Sequence, residues 1–148
     1  MKKSLAILGL CAALSVPAAL ADSVEEQAAD YRAGLMEVMG WNLKQMGAML
    51  KGKVPMDATV FSRRARDLNA AAHMDILAGF PEDSVTEDSD AKDEIWLDWE
   101  NFTAKLDAMR EKSEALAQAS TGDSQAAIKE AFGALAKACK SCHKAFRK

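Results

Sequence analysis

A seam of mostly apolar residues constrains the fold of this chain more than any other feature. The seam steps alternately by four and three residues, and it consists of Ile95, Trp99, Phe102, Leu106, Met109, Ser113 and Leu116. Residues at this spacing lie on one side of an α-helix, where they pack against neighbouring helices. Because one helix cannot bury such a seam alone, the pattern predicts a bundle of several helices.

Three further segments carry helical periodicity. They run from about Val24 to Lys51, from about Ala58 to Ala78, and through a fourth region with inner positions Ile128, Phe132, Leu135, Cys139, Cys142 and Phe146. Ser23 and Glu26 have the spacing of a capping box, and Asp57 is placed to cap the second helix. Strand-like alternation is almost absent. The chain is therefore predicted to be all-α, an antiparallel up-down-up-down four-helix bundle.

The N-terminus has the pattern of a cleaved export signal. Two lysines precede an apolar run from Leu5 to Leu14, and Ala19-Leu20-Ala21 supplies the small residues of a cleavage site. The run is shorter than the ~20 residues of a membrane-spanning helix. We therefore predict a signal peptide at residues 1–21 and one domain at residues 22–148. The domain would be periplasmic, with no membrane span after cleavage.

The charge of the mature chain narrows its partners. Without the signal, 17 basic and 22 acidic side chains remain, a net charge of −5. No basic patch indicates a nucleic acid, whereas the negative charge favours a protein partner with a basic face. Loss of Cys11 with the signal leaves Cys139 and Cys142 as the only cysteines. One close pair cannot form a disulfide framework. The two cysteines therefore form a disulfide that closes a small loop, bind a metal, or attach a cofactor.

The cysteine pair belongs to the sequence Cys139-Lys140-Ser141-Cys142-His143, which is typical of covalent haem attachment. On a helix both thiols and the imidazole share one face, so the thiols can form thioethers with the haem vinyl groups while His143 binds the iron. Zinc would need about four ligands, and a thioredoxin-like pair would need a strand before its helix. A plain structural pair is the remaining alternative. We predict one haem c near one end of the bundle.

With these features the chain resembles the class II c-type cytochromes, meaning cytochrome c′ and its low-spin c-556 and c-554 relatives. The resemblance rests on the late haem motif followed by Phe146-Arg147, on Tyr31-Arg32 through Met36, and on Lys51-Gly52, Phe80-Pro81, Glu94-Ile95-Trp96 and Gly122-Asp123. It implies a left-handed four-helix bundle with haem between the helices. It also implies that Arg32 lies near a haem propionate, that Arg147 lies near His143, and that Trp96 lines the pocket.

The residue opposite His143 decides between two functions. In cytochrome c′ proper this position is apolar, and the five-coordinate iron binds nitric oxide or carbon monoxide; in the low-spin relatives it is Met. The matching residue here is Met36. We read Met46 and Met49 as core residues and Met39 as a weaker rival for the iron. His73, the other imidazole, is read as a surface or packing residue.

A thioether ligand raises the reduction potential and closes the iron to substrates. We therefore predict a periplasmic mono-haem electron-transfer protein with His143/Met36 ligation, not an enzyme, with redox proteins as partners. The alternative is a five-coordinate cytochrome c′ that binds nitric oxide or carbon monoxide. Peroxide chemistry is a much weaker third possibility, because no distal His and Arg pair is recognisable. The chain is expected to be a monomer or a homodimer.

Overall fold

The fold was analysed in a computed structural model that describes residues 23–82, 84–86 and 89–148. The predicted signal peptide lies outside the described residues. The helices are α1 (Val24–Leu50), α2 (Ala58–Ala72), α3 (Glu94–Leu97), α4 (Trp99–Ala119) and α5 (Gln125–Phe146), with a 3₁₀ turn at Ile76–Gly79. None of the helices in these ranges is long and apolar enough to cross a membrane.

The four long helices form the predicted bundle. α1 packs on α2, α2 packs on α4, and α4 packs on α5. Hydrogen bonds between α2 and α4 show their relative direction: Ser120 Oγ lies 3.3 Å from Ser62 Oγ, and the Ser113 hydroxyl donates to Asn69 over 2.8 Å. As the residue number increases along α4, the residue number of the partner on α2 decreases, so the two helices are antiparallel. The all-α, up-down-up-down prediction is confirmed.

The helix ends follow local capping chemistry. The Ser23 hydroxyl accepts a hydrogen bond from the amide of Glu26, whose carboxylate accepts one from the Ser23 amide, so the predicted capping box is present. Asp57 accepts from the amide of Val60 over 2.9 Å, as predicted for a cap. Each cap satisfies amides that have no partner within the helix.

Two predicted helices are interrupted. The second was expected to reach Ala78, but α2 ends at Ala72 and a separate 3₁₀ turn follows, capped by the Asp75 carboxylate. The third is broken at Asp98, whose φ of −132° and ψ of 54° are not helical. Ile95 is buried although it lies before this break. The apolar seam therefore continues where the helical conformation is interrupted.

The core is formed by the predicted inner stripes. Phe102, Leu106, Met109 and Leu116 of the α4 seam are each 5 % exposed or less. The polar member of the seam, Ser113, is fully buried, and its hydrogen bond to Asn69 removes the cost of burying a free hydroxyl.

α1 and α5 diverge along their length, and this divergence creates the site. Gly47 on α1 faces Phe132 on α5 so closely that a Cβ at Gly47 would lie 3.2 Å from the ring. Towards the start of α1 and the end of α5 the helices separate around a cavity lined by Met36 and His143. The cavity therefore lies between two neighbouring helices near one end of the bundle, where helix bundles build cofactor sites.

Candidate cofactor site

The cavity between α1 and α5 has a volume of about 750 Å³, within the range of small-molecule and cofactor sites. Its walls come from four parts of the chain. α5 contributes Cys142, His143, Phe146 and Arg147; α1 contributes Glu26, Ala29, Asp30, Arg32, Ala33, Met36, Glu37 and Gly40; Phe80, Ile95 and Phe102 form an apolar side; and the segment between the 3₁₀ turn and α3 contributes Thr86, Ser89, Asp90 and Ala91.

The α5 wall presents the predicted attachment residues. Cys139 and Cys142 are free thiols, both half-buried, and Cys142 borders the cavity. They lie one turn apart on the apolar side of α5, because their spacing continues the stripe from Ile128 to Phe146. Burial raises the pKa of both thiols, so both carry their protons before modification.

His143 follows on the same wall. Its pKa is lowered by burial and also by the positive charge of Arg147. A lowered pKa favours the neutral imidazole, which is the form that binds a metal. Cys142 and His143 thus border one cavity from one helix, whereas Cys139 does not line it, and attachment of the haem at these residues stays a prediction.

The α1 wall places Met36 on the cavity and the other methionines of this helix elsewhere. Met36 is half-buried and lines the cavity between Ala33 and Gly40, two residues with little or no side chain. Met39, Met46 and Met49 are each 8 % exposed or less and belong to the bundle core. The structure therefore brings Met36 and His143 to opposite walls of one cavity.

His73 does not border this cavity. The residue is exposed at the end of α2, where its Nδ1 lies 2.9 Å from the carbonyl of Asn69.

Arg32 is buried on the same wall, 5 % exposed. Its terminal nitrogens donate four hydrogen bonds, to the Gly79 carbonyl (2.7 Å), the Ser84 hydroxyl (2.8 Å), the Ser84 carbonyl (2.5 Å) and the Ser89 hydroxyl (2.7 Å). Burial lowers the pKa of this guanidinium. Of its donors only the Nε hydrogen remains, so a propionate contact stays a prediction that rests on Nε and on the charge.

Arg147 lines the cavity from the end of α5. Its guanidinium donates twice to one carboxylate oxygen of Asp90, from Nε over 2.9 Å and from a terminal nitrogen. Its backbone amide donates to the carbonyl of His143 over 2.9 Å. This bond is the regular helical one at the end of α5, and a role of the Arg147 side chain beside His143 stays a prediction.

Comparison with known proteins decides what this cavity holds. A family model described as Cytochrome C' matches residues 27–147. The chain belongs to the cytochrome c′ family. Members of the cytochrome c′ family carry a covalently attached haem c, and this chain therefore binds one. The free thiols, the imidazole, the apolar side and the buried cation of the cavity fit that group.

Similar proteins within the family carry two different names. The chain is 37 % identical over 128 residues to a cytochrome c' from Halomonas halodenitrificans, covering 82 % of this chain and 96 % of the relative. It is 34 % identical over 138 residues to a cytochrome c-554 from Cereibacter sphaeroides, covering 90 % of both. A nitric oxide complex of a cytochrome c prime variant from Alcaligenes xylosoxidans superposes with a TM-score of 0.76 at 29 % identity, covering 84 % of this chain and 96 % of that one.

Among residues 23–82, 84–86 and 89–148, no group of three or more His, Cys, Asp or Glu side chains is arranged to hold a metal ion. A zinc site built on Cys139 and Cys142 would need such a group.

Trp96 does not border the cavity of this cytochrome c′ family member. Its indole nitrogen donates to the Phe80 carbonyl over 3.2 Å, and the two ring centroids are 6.4 Å apart. Phe80 in turn meets Phe102 edge-on at 4.8 Å, and Phe102 meets Phe146 at 5.4 Å. The structure places Trp96 one layer behind the apolar side, where it supports Phe80.

Sequence reasoning missed several residues that build the cavity. Phe80 and Phe102 were read as a helix end and as part of the seam, and their place at the end of the bundle is what brings them to the cavity. Ser84, Ser89 and Asp90 gave no signal, because their partners Arg32 and Arg147 are 52 to 57 residues away in the chain.

Proposed function

We propose that this protein is an exported, periplasmic haem c protein that binds a diatomic gas, nitric oxide or carbon monoxide, on the α1 side of its haem. One observation carries the proposal: Met36 stands among Ala29, Ala33 and Gly40 on the wall opposite His143, so the wall leaves room beside one flexible side chain. The name cytochrome c' of the Halomonas halodenitrificans relative supports the same function.

The residues of the chain have separate tasks in this proposal. Cys139 and Cys142 hold the haem as thioethers, and His143 supplies the imidazole on the α5 side. Met36 covers the other side as an apolar cap. When bound, haem c would supply an iron that changes between two oxidation states and can take a further ligand. Phe80, Ile95 and Phe102 supply an apolar side against which the haem ring would pack.

Electron transfer with Met36 as a permanent iron ligand is the second candidate. It is favoured by the position of Met36, the one methionine of α1 that borders the cavity in the described part of the chain. The c-554 relative from Cereibacter sphaeroides carries a different name from the cytochrome c' proteins, although it is almost as similar. In this case the thioether sulfur would stabilise Fe(II), and redox proteins would be the partners.

Spectra of the haem-loaded protein distinguish the candidates. For gas binding we expect a high-spin oxidised spectrum and rapid carbon monoxide binding after reduction. Met36→Ala should then raise the carbon monoxide association rate about fivefold to tenfold, since it removes the cap and lowers the entry barrier by about 1 kcal/mol. Met39→Ala is the matched control, because Met39 belongs to the core and not to the cavity wall.

A low-spin oxidised spectrum with the weak far-red sulfur-to-iron band would reject the gas-binding proposal. If Met36→Leu also abolished that band while Met39→Leu kept it, Met36 would be established as the ligand of an electron carrier. Neither candidate involves turnover of a substrate, so we expect no enzymatic activity. Monomer and homodimer both remain compatible with either one.

A further inference from the structure

We propose that the short segment Ser89–Lys92, called the strap, sets the separation of the two cavity walls and thereby controls ligand access. Ser89 and Asp90 act in it as positioning residues. The proposal rests on the proposed function, because ligand access matters for a haem with an open side. It assigns a role to two side chains that the cysteine motif and Met36 do not involve.

The first link of the strap reaches α1. The Ser89 hydroxyl accepts a hydrogen bond of 2.7 Å from the buried guanidinium of Arg32. The same hydroxyl lies 3.1 Å from the Ala91 amide, which fixes its orientation within the strap. Arg32 lies one helical turn before Met36, so this link holds the turn of α1 that carries the cap.

The second link reaches α5. The Asp90 carboxylate accepts two hydrogen bonds from Arg147, one of them at 2.9 Å from Nε. The backbone adds a short antiparallel bridge, in which the Lys92 amide donates to Phe146 over 3.1 Å and the Lys148 amide donates to Asp90 over 2.8 Å. Arg147 lies one turn after His143, so this link holds the turn that carries the imidazole.

The strap therefore joins the turn before Met36 to the turn after His143 across the mouth of the cavity. Ser89, Asp90 and Ala91 all line the cavity themselves. Direct packing of α1 on α5 is found at Gly47 and Phe132, far from the mouth. At the cavity end the strap connects the two walls, in addition to the hydrogen bonds that tie Arg32 to Gly79 and Ser84, so loosening either link lets the α1 turn move further from α5.

The test uses Ser89→Ala and Asp90→Asn in the haem-loaded, reduced protein. Asp93→Asn is the matched control, because Asp93 is exposed, lies three residues from Asp90, and makes no capping bond with its side chain. Two quantities are measured: hydrogen exchange of the α1 amides around Arg32, and the carbon monoxide association rate. We expect both strap variants to speed the exchange and to raise the association rate about two- to fivefold, the scale set by one partly exposed ion pair, while the control resembles wild type.

The double variant Ser89→Ala/Asp90→Asn sharpens the test. Because the two links act in series, breaking both should change the association rate little more than the stronger single variant does. Additive effects, or faster exchange with an association rate equal to that of the control, would overturn the proposal and leave the strap a stabilising contact only. If wild type binds no carbon monoxide, the proposed function fails separately. In that case the role of the strap is tested by the far-red sulfur-to-iron band. The band must weaken in both strap variants and stay unchanged in Asp93→Asn; otherwise the proposed role of the strap is rejected.

Discussion

At the scale of single residues, Arg32 performs a larger structural task than its place in a family motif implies. It is a buried cation whose terminal nitrogens join the 3₁₀ turn, Ser84 and Ser89 to α1. Its guanidinium also lies 5.1 Å from the centroid of the Phe80 ring, a cation–π contact with a residue of the apolar cavity side. One side chain thus organises both the mouth and part of the apolar side.

Replacement of Arg32 by Lys tests this task. Lysine keeps the charge but has no planar fork, so it cannot reach four acceptors on three segments. Buried acceptors such as the Ser84 carbonyl would lose their donor, and we expect the free energy of unfolding to fall by about 2–4 kcal/mol. Chemical denaturation of the haem-loaded protein measures this value. Arg63→Lys, at an exposed position of α2, should stay within about 0.5 kcal/mol of wild type; an equal loss in both variants would contradict the explanation.

At the scale of elements, the 3₁₀ turn at Ile76–Gly79 depends on close approach to α1. A Cβ at Gly79 would lie 2.8 Å from Cβ of Arg32 and 3.2 Å from the carbonyl oxygen of Ala28. Both neighbours belong to the rigid part of α1, so the turn would have to move. Glycine is required here by space and not by a positive φ.

Gly79→Ala and Gly133→Ala should therefore have opposite effects on stability. The first forces the turn away from Arg32 and should cost about 1–3 kcal/mol, as overpacking commonly does. The second adds a methyl group to an exposed position of α5 with no heavy atom within 4 Å, and should stabilise the helix by about 0.5–1 kcal/mol. Thermal unfolding of the two haem-loaded variants measures whether each substitution lowers or raises the stability. A stable Gly79→Ala protein with an unchanged haem spectrum would show that the turn can shift without cost.

What the sequence could predict also differs between elements. The starts of α1 and α2 were predictable because Ser23, Glu26 and Asp57 cap their own helices through contacts three residues apart. The end of α2 was not, since the alanine-rich stretch before Gly79 contains no residue that stops a helix. The break at Asp98 was hidden for a related reason: the seam keeps its four-residue step from Ile95 to Trp99 across it.

In the cofactor site, too, residues with local partners could be predicted from the sequence, and residues with distant partners could not. Cys139, Cys142 and His143 could be predicted as the attachment residues and iron ligand because one helix places them on one side through local spacing. Met36 could be selected from four methionines by resemblance to a family, and the structure places it on the cavity wall. The strap was not predictable, because Ser89 and Asp90 meet Arg32 and Arg147 only after the bundle has formed.

At the scale of the whole molecule, the fold is built around a volume that the side chains do not fill. The cavity of about 750 Å³ is open at its mouth, and without the haem its apolar lining at Phe80, Ile95 and Phe102 faces water, which costs free energy in proportion to the apolar area. A domain of this size is stable by only about 5–15 kcal/mol. We therefore expect the described arrangement of α1 and α5 to be less stable without the haem than with it.

Removal of the predicted attachment residues tests this dependence. In Cys139→Ala/Cys142→Ala prepared without haem, we expect the first half of α1 and the last turns of α5 to lose protection from hydrogen exchange, while α2 and α4 keep theirs, because their shared contacts at Ser113 and Asn69 lie away from the cavity. Leu35→Ala in the haem-loaded protein is the control for general destabilisation, since it removes a core side chain and keeps the cofactor. Equal protection of α1 with and without haem would contradict the argument, because the cavity would then be stable on its own. Uniform loss over all four long helices would contradict it differently, by showing that the haem is needed for the entire core and not for the α1 and α5 end alone.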